Sequence, residues 1–399
     1  MNDVLILGDG VIALSMALAC VKKGYKVCLL SQREDAYTLK GYVQSPKVCA
    51  INRASEYLFK QLGVWSDIQH RVFYDHMLVW DAFHQEELLF SAAECAEPNL
   101  GHIIPYEAMR QALLQALHDR AVIMVENQVF ESVDVGHAGV VLSVAGDVFK
   151  AKLCLGADGQ DSWLRQQLGI TSDHRTYGQH VIGAIIQHKS PHFHTARQRF
   201  MPSGPLALLP LDDMHQSALV WSLDDVKAKR LMGLSPEAFE FELMAHYQGR
   251  MGPMTLFGKR LSFPIYAHHA HHYGVAGALI LGDAAHTVHP LAGQGLNLGL
   301  MDVAVLLDLM QSHDLGAQAL AHAFTNQQRG YNERMRMSFT GFHEMFKLSH
   351  PLWARLRGLG MRALMAATPI KRKLCLQALG YRDPMPTCMM PTETEEVHL

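Results

Sequence analysis

Three glycine-bearing segments hold residues whose types and spacing suit chemistry on a bound nucleotide. The first is Gly8-Asp9-Gly10-Val11-Ile12-Ala13. Its first glycine permits a tight turn, its second lets the backbone approach a pyrophosphate, and Ala13 lets a helix pack closely on a strand. Phosphates held there meet the free N–H groups at the start of that helix. The pattern predicts a dinucleotide-binding turn; the bland alternative is a glycine turn in an unrelated α/β fold. The fingerprint also expects a carboxylate at the end of the second strand, for ribose hydroxyls. Ser31 stands there, a weaker partner than a carboxylate, with Glu34 and Asp35 further on. The second segment is Gly156-Ala157-Asp158-Gly159, with Ser162 and Arg165 behind it. The third is Gly282-Asp283-Ala284-Ala285-His286, followed by Pro290, Gly293-Gln294-Gly295, Asn297, Gly299 and Asp302. A carboxylate at a strand end can accept hydrogen bonds from a polyol chain. N–H groups of a helix start near 293–297 can stabilise negative charge on a flat anion.

These segments need a frame. Val4-Leu5-Ile6-Leu7 predicts a strand buried on both faces, with a helix from Val11 to Lys23 closed by Gly24. Val27-Cys28-Leu29-Leu30 is then a second parallel strand in a right-handed β-α-β unit. Helical periodicity marks 52–63 and 105–118, and short strands fill 122–155. Alternation in Val181–Ile186, Leu206–Leu211 and Ala218–Leu223 predicts an antiparallel sheet covered on one face. Ala278–Leu281 returns to the buried parallel type. A long amphipathic helix follows from Gly295, with Leu296, Leu300, Val303, Leu307 and Met310 on one face. The parallel pieces lie at both ends of the chain, so the class is α/β with a discontinuous first domain at 1–75, 100–175 and 270–340. The inserted antiparallel domain takes 76–99 and 176–269. Helices follow at 341–382, and the polar, proline-bearing stretch at 383–399 is expected as a loose tail.

The chain of 399 residues carries a net charge of −3, which gives no electrostatic case for nucleic acid. Its seven cysteines are odd in number and none stand in a C-x-x-C pair. That argues against a disulfide framework or thiolate metal site and fits a reducing cytoplasm. The apolar run Val4–Val21 is broken by Gly8-Asp9-Gly10 and lacks a basic leader, so neither a signal peptide nor an anchor is expected. His268-His269-Ala270-His271-His272 invites a metal reading, but a solvated helix or loop is favoured, and no metal is expected. His286 reads as a packing or backbone-supporting residue before a base. Phe200, Leu206, Leu208, Leu209 and Trp221 are an apolar wall or ordinary sheet core, and core is favoured for each. Leu352, Trp353, Leu356, Leu359, Met361 and Leu364 lie among Arg355, Arg357, Arg362, Lys371, Arg372 and Lys373. Such a stretch meets membrane lipid or a partner, or packs on its own domain, and the last is favoured.

Together the three segments resemble the flavoprotein aromatic hydroxylases of the para-hydroxybenzoate hydroxylase fold, over about residues 3–382. The chain is most similar to the branch that hydroxylates polyprenyl phenols and benzoquinols in ubiquinone biosynthesis. Ala50-Ile51-Asn52 with Ala54-Ser55, Leu62-Gly63-Val64-Trp65, Leu100-Gly101-His102-Ile103 and Gly204-Pro205-Leu206-Ala207 through Pro210 carry that likeness. The resemblance implies an FAD-binding Rossmann-like domain, an inserted antiparallel β-sheet substrate domain and a helical C-terminus. It implies bound FAD, NADH or NADPH as a passing reductant, and molecular oxygen as co-substrate. Oxygen would add at the flavin C4a, and the hydroperoxide would give its distal oxygen to an electron-rich ring; the cofactor carries that chemistry. No catalytic side chain is assigned, and Pro290 and His286 are candidates for neighbours of the flavin. Asp283 would hold the ribityl chain, and Gly293, Gln294, Gly295 and Asn297 would cover the pyrimidine edge. Asp158 would lie near the pyrophosphate, and Gly8, Gly10, Ala13, Ser31 and Lys47 would serve the phosphate and adenosine side. The implied partners are a polyprenylated aromatic substrate and other ubiquinone-biosynthesis proteins. A cytoplasmic protein touching the inner face of the membrane or a lipid carrier fits, and there is room for a homo-oligomer.

The sequence departs from that branch at three places. Ser31 replaces the usual glutamate, Ser45-Pro46-Lys47 an Asp-x-Arg triplet, and Pro105-Tyr106 a Glu-Asn pair. Lysine keeps the charge of arginine but loses its fork. Looser FAD binding with retained chemistry is the expectation. The alternatives are a cofactor-poor scaffold or lipid-binding partner, and an FAD hydroxylase of an unrelated aromatic compound.

Overall fold

A computed structural model describes residues 1–39, 45–82, 87–120, 122–136, 139–288, 295–347 and 350–391. The first strand, Asn2–Leu7, ends in four buried apolar residues and has parallel partners on both sides, Val27–Leu30 and Asp147–Gly156. A strand enclosed in this way needs apolar side chains on both faces, which explains the unbroken Val-Leu-Ile-Leu run. Helix Val11–Lys22 follows at once and starts at Gly10 without a side-chain cap. Ala278–Ile280 joins the same sheet in parallel beside Asp147–Gly156, although it comes late in the chain. In register, Gly156 faces Leu7 on one side and Ile280 on the other. The three glycine segments therefore leave the carboxyl ends of three adjacent parallel strands, where open α/β sheets bind ligands.

A second sheet of eight strands among the described residues is mostly antiparallel. Ser172–His188 is its spine, paired with Gln216–Asp224 on one side and Met254–Ala270 on the other. Helices Asp225–Met232 and Pro236–Tyr247 cover one face over Trp80, Trp221, Phe239, Leu243 and Tyr247. Trp221, Leu206 and Leu208 are therefore sheet core. A small sheet of Val48–Ile51, Val72–Tyr74 and Gly101–Pro105 stands between the two large ones.

Two expected boundaries move. Helix Gln318–Lys347 runs straight through 340, because its residues keep helical periodicity with no proline or cap to stop them. The tail expected from 383 is docked as far as the description reaches, to residue 391. Met389 is fully buried in the main core, and Thr387 gives its N–H to Asp308 Oδ2 at 2.8 Å. Apolar anchors in a polar, proline-bearing segment outweigh its average composition. Helix Pro351–Ala366 packs one face inward through Met361 and Arg357, whose Nε donates to Asp81 Oδ2 at 2.7 Å.

Candidate cofactor-binding site

The three segments enclose a cleft of about 540 Å³. Gly8, Gly10, Ser31, Lys47, Asp158, Asp283 and Gly295 all line it. Gly8 has φ +130°, and a Cβ there would lie 2.3 Å from the carbonyl oxygen of Ala157, so only glycine fits between the first two segments. A Cβ on Gly299 would come within 2.8 Å of Ile12 Cδ1, which shows how closely the helix Gly295–Leu309 approaches the first turn. Ala13 is buried behind the turn and acts by packing. Pro290, Gly293 and Gln294 lie outside the described residues.

On the side of the first segment the turn is braced from its back. Tyr37 donates its hydroxyl to Gly8 O at 2.9 Å, and Arg110 Nε donates to Asp9 O at 3.1 Å. The hydroxyl of Tyr106 accepts from Val11 N–H at 3.2 Å, so one free donor at the start of the helix already has a partner. Burial pushes the Tyr106 phenol up to about 12, and the Lys47 ammonium lies 3.9 Å from the centre of its ring. Two of the three departures thus touch each other at the mouth of the phosphate site.

On the side of the third segment, Asp283 sits in a single turn of 3-10 helix, Gly282–Ala284. It remains open to solvent through the cleft, and no protein group among the described residues donates to its carboxylate. The surrounding protein raises its pKa, while the nearby His286 and Lys47 act in the opposite sense. The turn itself is held on every other side. Asp302 Oδ2 accepts from Gly282 N–H at 2.9 Å, Arg165 Nη1 donates to Ala284 O at 2.7 Å, and His268 Nε2 meets Asp283 O at 2.7 Å. Fully buried Asp302 also meets His286 Nε2 at 2.6 Å, Gln328 Nε2 at 2.7 Å and Asn332 Nδ2 at 3.2 Å.

Several expectations change here. His286 packs, as its favoured reading has it, with its side chain buried against Asp302, but it does not line the cleft as a neighbour of the flavin would, because a buried carboxylate needs donors. Asn297 spends its amide on a staple: its Oδ1 accepts from Asn52 N–H at 3.1 Å and its Nδ2 donates to Ala50 O at 2.7 Å. It therefore fixes the strand Val48–Ile51 to the helix start and offers no side chain to a cofactor. His268 and His269 are not a solvated loop; they end the strand Met254–Ala270 and are buried. His269 meets Glu333 Oε2 at 2.5 Å and Tyr273 OH at 2.7 Å. Burial lowers the pKa of His268 to about 4. Asp158 Oδ2 accepts from Leu164 N–H at 3.2 Å in the helix Trp163–Gln167, which Ser162 caps, while Oδ1 is buried without a hydrogen-bond partner among the described residues. Asp9, Tyr37, Arg110 and His268 were missed as site residues. Of these only Asp9, an acid inside a glycine turn, carried a visible signal.

The cleft fits a polar ligand with a long hydroxylated chain and phosphates. Asp158 Oδ1 and Thr287 Oγ1 are buried polar atoms on its wall with no hydrogen-bond partner among the described residues, and such atoms are rare in finished structures. Asp283 on the floor has no donor to its carboxylate among the described residues. The residues present therefore suit FAD: Asp283 would hold the ribityl chain and the helix start at Gly10 would meet the pyrophosphate.

Comparison with known proteins agrees. Residues 1–319 match the family model described as FAD binding domain. The chain is 30% identical over 390 residues to 3-demethoxyubiquinol 3-hydroxylase of Escherichia coli (strain K12), covering 95% of this chain and 98% of that one. It is also 30% identical over 388 residues to ubiquinone hydroxylase UbiL of Rhodospirillum rubrum, covering 95% of this chain and 89% of that one. Among solved structures, p-nitrophenol 4-monooxygenase PnpA from Pseudomonas putida DLL-E4 superposes with a TM-score of 0.77, covering 96% of this chain and 99% of that one at 17% identity. The last likeness speaks to the fold. The chain belongs to the FAD-binding domain family of flavoprotein hydroxylases, and it is an FAD-dependent monooxygenase.

Proposed function

We propose that the protein hydroxylates the ring of a polyprenylated phenol or benzoquinol in ubiquinone biosynthesis, with electrons from NADH or NADPH. The observation that carries this is the FAD cleft between the three glycine segments, in a chain similar over 95% of its length to two hydroxylases named for ubiquinol and ubiquinone. Cys49 of the strand Val48–Ile51 faces that cleft, while Ala50 behind it lines a void of about 20 Å³ with Tyr74, Met77, Ile103, Ala196 and Leu209, room for a water and not for a ring. The names of the two relatives, each a hydroxylase of a ubiquinol or ubiquinone, support the same substrate class. FAD, once reduced, supplies the activation of molecular oxygen. The protein orients the ring and keeps water out, and the Asn297 staple holds the wall between void and cleft in place. The test is mass spectrometry of a short-chain prenylated phenol or benzoquinol after incubation with FAD, NADH or NADPH and heavy-isotope oxygen. One labelled oxygen atom in the ring is expected; reductant consumption without labelled product would sink the proposal.

Peripheral contact with an anionic membrane surface belongs to the same proposal. Among the described residues no helix is long and apolar enough to cross a membrane. Helix Pro351–Ala366 instead turns Trp353, Leu356 and Leu359 to solvent, 47%, 48% and 59% exposed, with Arg355 and Arg362 at the surface beside them. No acidic residue occurs between 350 and 382. An outward apolar stripe with a basic flank suits a headgroup layer. Flotation with phosphatidylglycerol-containing vesicles should recover the protein, and Leu356→Asp with Leu359→Asp should leave it in the soluble fraction. Equal recovery of both would remove this helix from the contact.

A further inference from the structure

We propose that Asp9, inside the glycine turn, supplies the carboxylate for the adenosine ribose that dinucleotide-binding folds ordinarily take from the end of the second strand. The inference rests on FAD being the cofactor. Neighbouring ribose hydroxyls are donors in search of acceptors, and a carboxylate offers two oxygens to them. Here the second strand ends in Ser31, and its single hydroxyl is already engaged. It accepts from Arg33 N–H at 3.1 Å and lies 3.4 Å from Asp9 Oδ2. The next acids, Glu34 and Asp35, do not line the cleft, whereas Asp9 does.

The geometry lets the neighbouring strand deliver the missing charge. Leu7 pairs with Leu30, and Gly8 N–H donates to Leu30 O at 2.9 Å, so the glycine turn lies against the end of the second strand. The Asp9 side chain crosses that short gap and ends between Ser31 Oγ and Arg33 Nη1, at 3.4 Å and 3.1 Å. Tyr37 and Arg110 clamp the carbonyls of Gly8 and Asp9, so the carboxylate is positioned before a ligand arrives. A carboxylate in a phosphate-binding turn would repel the pyrophosphate if it faced the helix start. Its contacts draw it toward the strand end instead, and the guanidinium of Arg33 offsets its charge. The strand end offers no acid and the turn offers one: the carboxylate stands one strand over from its ordinary place.

The experiment measures dissociation constants of FAD and FMN for the apoprotein by flavin fluorescence. FAD binding by the wild type checks the cofactor itself; the variants check Asp9. Asp9→Asn, close in size to the original, should weaken FAD binding by roughly 10- to 100-fold. It should leave FMN binding unchanged, since FMN has no adenosine half. Adding Ser31→Glu to Asp9→Asn should recover most of the loss. Ser31→Glu alone sets two carboxylates side by side and should bind FAD no tighter than wild type. Unchanged or tighter FAD binding by Asp9→Asn would overturn the proposal. So would equal losses for FAD and FMN, which would mean a distorted turn, or a double variant that recovers nothing.

Discussion

The two ends of the FAD cleft are built by different rules. Around Asp283 the turn hangs from a buried network: Asp302 gathers Gly282, His286, Gln328 and Asn332, and His268 and Arg165 hold the carbonyls of Asp283 and Ala284. Around Asp9 the contacts are fewer and nearer solvent, and the Arg33 side chain is 71% exposed. A buried network tolerates no single loss, because each donor left behind bears the full cost of desolvation. An exposed contact is replaced by water at little cost. Ser31, Lys47 and Tyr106, the residues that set this sequence apart from the branch it resembles, all line the cleft at the Asp9 end, away from the buried network around Asp302.

The sharpest way to break the contrast is Asp302→Ala. It strands four donors in a fully buried place, and the expected loss is on the order of 3–5 kcal/mol of folding stability. Thermal unfolding of the apoprotein measures it; a loss below about 1 kcal/mol would mean that the network is not what holds this end. Next in size is Asp283→Ala. Its carboxylate supports no protein group among the described residues, so the apoprotein should melt as wild type does. FAD affinity should fall by roughly 100-fold, for a charged acceptor lost to two hydroxyls. Retained stoichiometric FAD would remove Asp283 from the ribityl chain.

A smaller effect tests the same end through pH. His268 is held neutral by burial, with its pKa lowered to about 4, while the unfolded chain titrates near about 6.5. Between those values the unfolded state binds the extra proton, so stability is fully present above about pH 6.5 and falls as pH drops toward 4. The contribution is on the order of 2–3 kcal/mol. His268→Gln, which can still donate to the Asp283 carbonyl, should flatten the stability profile over that window. Parallel profiles for the two proteins would exclude His268 as the group responsible.

Much of the frame was legible because it depends on local pattern. The buried parallel strands announce themselves as short apolar runs, and the glycines mark turns whose backbones must come close. What escaped is what only distant partners decide. His268 and His269 look solvated as a polar run, yet Asp283 O, Glu333 and Tyr273 receive them in the interior. Asn297 looked like a cofactor ligand because it sits in the right segment, but Ala50 and Asn52 claim its amide from some 245 residues away. The stretch 383–391 lacks periodicity, yet buried Met389, with Met385 and Cys388 against the core and Thr387 on Asp308, docks it.

The smallest expected effect lies at the other end, in Tyr106→Phe. The Tyr106 hydroxyl accepts from Val11 N–H, the first donor of the helix whose start would face the pyrophosphate. Removing it frees that donor for a phosphate oxygen and keeps the ring under Lys47. FAD should then bind a few-fold tighter, a gain of about 0.5–1 kcal/mol, with the stability of the apoprotein lowered by no more than that. Weaker binding would reverse the contrast. It would mean that the phenol turns to the phosphate when FAD enters, so that the substituted end has gained a ligand of its own where its relatives carry a different pair.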